Sequence, residues 1–451
     1  MPVIHAARAL TPEGWKADVR LTIEGDAIAA VETGVGANAG DEQHAIVLAA
    51  IANLHSHAFQ RGMAGLAEYR GERRDTFWTW RETMYRFALT MSPDDVEAVA
   101  AQLYVEMLEA GFAAVGEFHY LHHAPDGSPY ASRAEMAARI VAAATEAGIG
   151  LTLLPVFYAH GTFGAAPYSE QRRFLSDVDA FVRLLEDSRA AMRDVPRGVV
   201  GVAPHSLRAV APDELAAVVA LAGDAPIHIH AAEQVKEVED CLAWSGARPV
   251  EWLLDHAPVD PRWCLIHATH MTADETRSLA HSGAVAGLCP ITEANLGDGV
   301  FNAPEFLAEG GLFGVGSDSN VLIGVGAELR QLEYAQRLRD RARNVCAVAG
   351  GSTGRTLYET ALAGGARALA RPGGRLAPGA VADLVSLQAD HPALAGRTDD
   401  QLLDAWIFSG GNRLVDCVWS GGRKLVANGR HRRREAVAAR FGATMRALLS
   451  A

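Results

Sequence analysis

His55-Ser56-His57 close an apolar run, 45–54, that reads as one buried strand. Residues i and i+2 of a strand point to the same side, so two imidazoles leave this strand end together, about 7 Å apart along the chain. Both can reach one metal ion. A lone strand-end histidine is more commonly a satisfied structural residue. A same-facing pair needs something to offset its desolvation, and the rest of the chain offers partners. His228 and His230 share a face of another apolar run, with Glu233 three residues past His230; His267 ends a further run, and Ser317-Asp318-Ser319 another. Three neutral imidazoles and a carboxylate, His55, His57, His230 and Asp318, suit one Zn²⁺ and leave a position for water; such an ion makes hydroxide available near neutral pH. The same donors also accept other divalent metals. Glu233, beyond the strand end, can turn back as a proton shuttle rather than a ligand. His267 can orient the water or hydrogen-bond a developing tetrahedral centre, and Asp318 can share that work. The run Val202-Ala203-Pro204-His205 has no lysine or glutamate placed to bridge a second metal, which favours a mononuclear site. His228 lies one layer deeper than His230 and reads as its support. His119, His122, His123 and His270 gain nothing from their spacing, and Trp78-Thr79-Trp80 reads as packing.

Something must bring residues 55 to 318 together. Short β-rich runs lie at 47–54, 113–119, 150–157, 199–204, 227–232, 264–269, 284–288 and 313–318, with Ala/Leu/Glu-rich helical stretches such as 93–110, 134–147 and 212–221 between them. Strands alternating with helices predict an α/β fold, a parallel (β/α)₈ TIM barrel. Chemistry in such a barrel gathers at the C-terminal ends of the strands, where every residue above falls. The same reading puts Glu117, His119 and Tyr120 at the end of the second strand and His205, with Arg208 beyond, at the fourth. Outside the barrel, 19–23 and 27–31 flank the turn Glu24-Gly25-Asp26 as a hairpin, and similar strands return at 382–387 and 414–418. Both chain ends are therefore expected to build one small β-sandwich domain. The expected division is 1–46 with 376–435 for that domain, 47–375 for the barrel, and 436–451 for a last helix.

Length and composition narrow the function. The 451 residues suffice for a barrel and a smaller domain. A formal charge of −13 disfavours nucleic acid and anionic membrane surfaces as partners. No uncharged apolar run approaches the roughly 18 residues of a membrane span, and the first residues show no export signal. The five cysteines are scattered, odd in number and without CxxC spacing, as expected of a reduced cytoplasmic protein.

The ordered set of His-x-His, strand-5 His, strand-6 His and strand-8 Asp resembles the amidohydrolase superfamily over nearly the whole chain, as does Gly374-Arg375-Leu376-Ala377-Pro378-Gly379-Ala380-Val381-Ala382-Asp383-Leu384-Val385. Longer segments resemble, within it, the formimidoylglutamate deiminase family: 53–61 (NLHSHAFQR), 77–81 (FWTWR), 116–123 (GEFHYLHH), 203–208 (APHSLR) and 316–320 (GSDSN). The resemblance implies one Zn²⁺ per chain, hydrolysis of a C=N bond with release of ammonia, formation of N-formyl-L-glutamate in histidine degradation, and a homodimer. It implies substrate contacts at Gln60, Arg81, Tyr120, His205 and Arg208. These residues make physical sense for a small dicarboxylate, because arginine's planar fork binds a carboxylate bidentately. The alternative is another deaminase of the superfamily acting on a purine, pterin or triazine ring, whose site should be lined by aromatic and amide groups. One segment departs from the family's pattern. Relatives carry Pro-Gly before the first motif, where this chain has Ala49-Ala50-Ile51-Ala52. No ligand is lost, and the difference bears on backbone path and stability.

Overall fold

The structure is a computed structural model that describes residues 2–70 and 75–450. Strands Ile51–Ser56, Phe112–His119, Gly150–Phe157 and Val199–Val200 pair in parallel, with Ala203–Pro204 continuing beside Gly150–Phe157. Strands Ile227–Ala231, Trp263–His267, Val285–Leu288 and Leu312–Val315 form a second parallel set. Single bridges join the sets: Val202 to Ile227 and Ser206 to His230 on one side, Ser56 to Asp318 on the other. The result is the expected closed (β/α)₈ barrel. Its strands lie beneath helices outside and a core inside, and so read as unbroken apolar runs; every position of Phe112–His119 and Gly150–Phe157 is buried.

A separate interior core of Leu54, Ala114, Cys264, Ile266, Val285, Ala368 and Leu369 fills the barrel. Ala368 and Leu369 arrive from the end of helix Thr353–Ala368 and plug its floor, where His228 Nε2 meets Ala368 O at 2.8 Å and Thr152 Oγ1 donates to Leu369 O at 2.9 Å. His228 therefore supports the floor below His230. The helix approaches this closely because it carries glycine: a Cβ on Gly364 would lie 2.0 Å from Phe313 O. With the floor closed, chemistry is confined to the other end.

Both chain ends build one further sheet. Its strand order is Arg430–His431, Arg423–Ala427, Val415–Ser420, Leu384–Leu387, Glu42–Ala49, Val3–Thr11, Gly14–Glu24, Ala27–Thr33. The ends meet where Leu384–Leu387 runs antiparallel to Glu42–Ala49, and a bridge from Ala27 to Val381 folds the sheet back on itself. The apolar run read as one strand over 45–54 is two. Glu42–Ala49 belongs to this sheet and Ile51–Ser56 to the barrel. At the hand-over Ala50 N–H donates to Asp383 O at 2.9 Å, and Tyr358 OH donates to Ala49 O. The Ala-rich approach to the first motif is thus a buried crossing between two sheets, where small side chains fit. The last helix, Arg434–Ser450, lies on helix Pro93–Glu109, tied by pairs such as Arg434 with Glu109 at 2.8 Å.

Candidate metal centre and active site

Six side chains converge above the plugged barrel. His55 and His57 come from the end of the first barrel strand, His230 from the fifth, His267 from the sixth, Glu233 from the turn after the fifth and Asp318 from just past the eighth. The backbone turns sharply at these ends: Ala232, His267, Ala268, Asp318 and Asn320 all have φ between 46° and 68°. Non-glycine residues seldom occupy that region, and such strain clusters at functional sites.

Ligand atoms of His55, His57, His230 and Asp318 all lie within 4.8 Å of one another. Hydrogen bonds fix which nitrogens face inward. His57 Nδ1 sits 2.9 Å from Phe118 O and His230 Nδ1 3.0 Å from His205 O. A carbonyl can only accept, so both Nδ1 atoms carry the proton and both Nε2 atoms present bare lone pairs. His230 Nε2 lies 3.2 Å from His55 Nε2; His57 Nε2 lies 3.2 Å, and His55 Nε2 3.5 Å, from Asp318 Oδ1. The bare Nε2 lone pair of His57 facing a carboxylate oxygen at this distance repels it unless a cation sits between them. Burial pushes His55 down to about 3 and lowers His57 and His230, which keeps them neutral. Burial opposes ionisation of Asp318, but contact with His55, His57 and His267 holds it well below the usual carboxylate range. The donor set fits a divalent metal.

A hydrogen-bond lattice aims Asp318. Asn53 Nδ2 donates to Ser317 Oγ at 2.6 Å, Ser317 Oγ donates to Asn320 Oδ1 at 2.6 Å, and Asn320 Nδ2 donates to His57 O at 3.0 Å and Asp318 O at 2.9 Å. Asn53 and Asn320, noticed in the sequence only as part of longer motifs, thereby couple the first and eighth strand ends. Glu117 stands apart from the metal donors. It accepts from Ala58 N–H at 2.6 Å and Tyr104 OH at 3.1 Å, and burial lifts it to about 8.

Glu233 Oε1 lies 3.8 Å from His267 Nε2, and its Oε2 3.8 Å from Arg208 Nη2. Burial lifts its carboxyl, while His267 and Arg208 pull it back. Its turn is held by Glu237, whose oxygens accept the N–H groups of Ala232 and Glu233, each at 3.1 Å. His267 Nδ1 meets Glu293 Oε1 at 3.2 Å, and its Nε2 lies 3.7 Å from Asp318 Oδ2. Burial works against charging this imidazole, yet Glu233, Glu293 and Asp318 together raise it to about 10.

A cavity of about 590 Å³ opens over these groups, and all five expected substrate contacts, Gln60, Arg81, Tyr120, His205 and Arg208, line it. Gln60 Nε2 donates to Tyr120 OH at 2.6 Å, and its buried Oε1 has no partner among the described residues. Arg208 is buried, and its Nε has no hydrogen-bond acceptor among the described residues. Arg81 stands on helix Phe77–Ala88 with its guanidinium 4.5 Å from the Trp78 ring, whereas Arg86 on the same helix is exposed. The Trp78-Thr79-Trp80 stretch is therefore not mere packing: Trp78 carries Arg81, and Trp80 lines the cavity.

Sequence reasoning missed the rest of the wall: Phe77, Met84, Tyr85, Tyr158, Phe174 and Leu296. It also missed Arg173, wholly buried, which donates to Ala88 O, to Met91 O at 2.8 Å and to His123 O at 2.7 Å. That arginine fastens the end of helix Phe77–Ala88 to the barrel. His122, His123 and His270 serve backbone carbonyls, those of Val156, Leu175 and Asp298.

The model of the amidohydrolase family matches residues 46–425. The chain belongs to the amidohydrolase family. Residues 1–45 match a second model, described as the N-terminal domain of formimidoylglutamate deiminase HutF. The amidohydrolase chain is 52% identical over 445 residues to the formimidoylglutamate deiminase of Pseudomonas aeruginosa, covering 98% of each. It superposes on a crystal structure of an amidohydrolase from Brucella melitensis with a TM-score of 0.96 and 59% identity over the whole of both chains. A zinc-bound adenosine deaminase from Xanthomonas campestris shares the fold, with a TM-score of 0.83 at 21% identity, covering 100% of this chain and 98% of that one.

Proposed function

We propose that this amidohydrolase hydrolyses N-formimidoyl-L-glutamate to N-formyl-L-glutamate and ammonia, a step of histidine degradation. The observation that carries the reading is two guanidiniums, Arg81 and Arg208, in one cavity with a converged His/His/His/Asp cluster. Arg81 has no carboxylate within ion-pair distance among the described residues, and Arg208 only the 3.8 and 4.0 Å approaches of Glu233 and Glu237. A dicarboxylate answers that arrangement. The identity to the Pseudomonas deiminase supports the same substrate.

His55, His57, His230 and Asp318 would hold one Zn²⁺, whose nitrogen and carboxylate preferences they match. When bound, the ion supplies a Lewis acid that brings the pKa of water to about 7. The protein's own groups do the rest. Glu233, its carboxyl lifted by burial, takes a proton from the attacking water and returns it to the departing nitrogen. His267, pinned by Glu293, offers Nε2–H to the oxygen that develops at the formimidoyl carbon. Gln60 and Tyr120 offer neutral hydrogen bonds beside the arginines, and His205 closes the wall over His230, their ring centroids 4.8 Å apart.

The proposal extends to a homodimer in the cytoplasm and to the domain division 1–46 with 376–435, 47–375 and 436–451. The sheet from both chain ends supports that division, although strand Glu42–Ala49 runs past residue 46. Among the described residues no helix is long and apolar enough to cross a membrane.

A second reading, deamination of a purine, pterin or triazine ring, draws on one observation: Phe77, Trp80, Tyr85, Tyr120, Tyr158 and Phe174 give the cavity an aromatic wall. Ammonia release from formimidoylglutamate, with formimidoylglycine and guanine as comparison substrates, decides between them. Turnover of formimidoylglutamate supports the first reading, and turnover of guanine alone replaces it with the second.

A further inference from the structure

Gln171 is wholly buried in the turn after the third barrel strand. Its Oε1 accepts the N–H of Tyr168 at 2.8 Å, which fixes the orientation of the amide. The NH₂ group then faces two phenols, donating to Tyr158 OH at 2.8 Å and to Tyr85 OH at 3.2 Å. Each phenol oxygen is thereby an acceptor, and its own proton must go elsewhere. Among the described residues neither Tyr85 nor Tyr158 finds an acceptor for that proton, yet both line the cavity beside Arg81 and Arg208. Burial raises both phenols above their ordinary range, so both stay protonated. Two unspent O–H donors next to two guanidiniums form a surface suited to an oxyanion.

The geometry points to Tyr85 and Tyr158 as further specificity residues, donating to a substrate carboxylate alongside the arginines, with Gln171 as the positioning residue that turns their protons into the cavity. The inference rests on the formimidoylglutamate reading and adds to it three residues contributed by the connection after the third barrel strand and the helix Phe77–Ala88. It also gives two rings of the aromatic wall a role without a ring substrate, through their hydroxyls.

The test compares KM and kcat for formimidoylglutamate with those for N-methylformamidine, which keeps the reacting group and has no carboxylate. A hydrogen bond to a charged group contributes enough for about a tenfold change or more. Tyr85→Phe and Tyr158→Phe should each raise KM for formimidoylglutamate about tenfold, change kcat less than about threefold, and leave kcat/KM for N-methylformamidine near wild type. Gln171→Glu keeps the acceptor for Tyr168 N–H but removes the donor, so the phenols turn onto it. It should raise KM more than either Phe variant, and by much less in the Tyr85→Phe/Tyr158→Phe background. Unchanged KM in the Phe variants, or equal losses on both substrates, overturns the inference. Failure of the wild-type enzyme to release ammonia from formimidoylglutamate would instead overturn the functional reading beneath it.

Discussion

Asn320→Ala examines the lattice that aims the metal-binding carboxylate. Asn320 is buried with φ +59°, a conformation that costs alanine more than asparagine; placing alanine there costs about 1 kcal/mol. Alanine also loses the amide N–H bonds shared among His57 O, Asp318 O and, at 3.3 Å, Ser56 Oγ, and the acceptor for Ser317 Oγ–H. Neither carbonyl is orphaned, because His57 O still receives Gln60 N–H and Asp318 O still receives His57 N–H, each at 3.0 Å. The amide's two N–H donors therefore count at their net value, about 1 kcal/mol each, while the buried Ser317 hydroxyl, left without its acceptor, costs about 1 to 3 kcal/mol. The sum is about 4 to 6 kcal/mol, a large share of the roughly 5–15 kcal/mol that holds a domain folded. Asn320→Gly relieves the backbone share and should lose about 1 kcal/mol less. Urea unfolding of chelator-stripped protein, followed by circular dichroism, reads both variants. Competition with a chromophoric chelator should show zinc affinity down by about 10- to 100-fold, as for other groups that orient a ligand. Wild-type midpoints in both variants would refute the lattice's role, and equal losses in the two would refute the backbone share.

Three further outcomes follow from the same geometry. Gly364→Ala drives a methyl into Phe313 O and should destabilise the fold by about 3 kcal/mol, whereas Gly36→Ala, with open space around it, should change stability by less than about 0.5 kcal/mol; denaturant midpoints compare them. Arg208→Ala should raise KM for formimidoylglutamate far more than it lowers kcat, and steady-state kinetics with an unchanged KM would remove Arg208 from substrate binding. Glu233→Gln should keep near-stoichiometric zinc by elemental analysis while losing at least about a hundredfold in kcat, and full turnover in that variant would end the shuttle assignment.

Parts of the molecule were legible in the sequence for identifiable reasons. The His-x-His pair, the strand-5 histidine and Asp318 stand at the ends of buried apolar runs, where a polar residue contrasts with its neighbours. The barrel's alternation of runs and amphipathic helices was equally visible. The break at Ala50 was not, because both halves of that run are buried and no turn residue marks the hand-over from one sheet to the other. The fourth strand, read as one run over 199–204, is two short pieces, Val199–Val200 and Ala203–Pro204; Gly201, whose Cβ would lie 2.4 Å from Pro226 O, sits at the interruption. Tyr85, Tyr158 and Gln171 lacked any local pattern. Their meaning comes from one amide reaching two phenols 86 and 13 residues away in sequence. Arg173 escaped for a similar cause, since three of its partners are backbone carbonyls, which no residue type announces.

The central claim joins a metal-holding cluster to a linear amidine that carries two carboxylates. Zinc-loaded enzyme turning over formimidoylglutamate in oxygen-18 water tests it most directly, with ammonia counted and the product read by mass spectrometry. The account predicts one ammonia per substrate consumed and one oxygen-18 atom in the formyl group of N-formylglutamate, with turnover abolished by chelation and restored by zinc. Release of formamide and free glutamate, or ammonia at the same rate after complete removal of the metal, would contradict it.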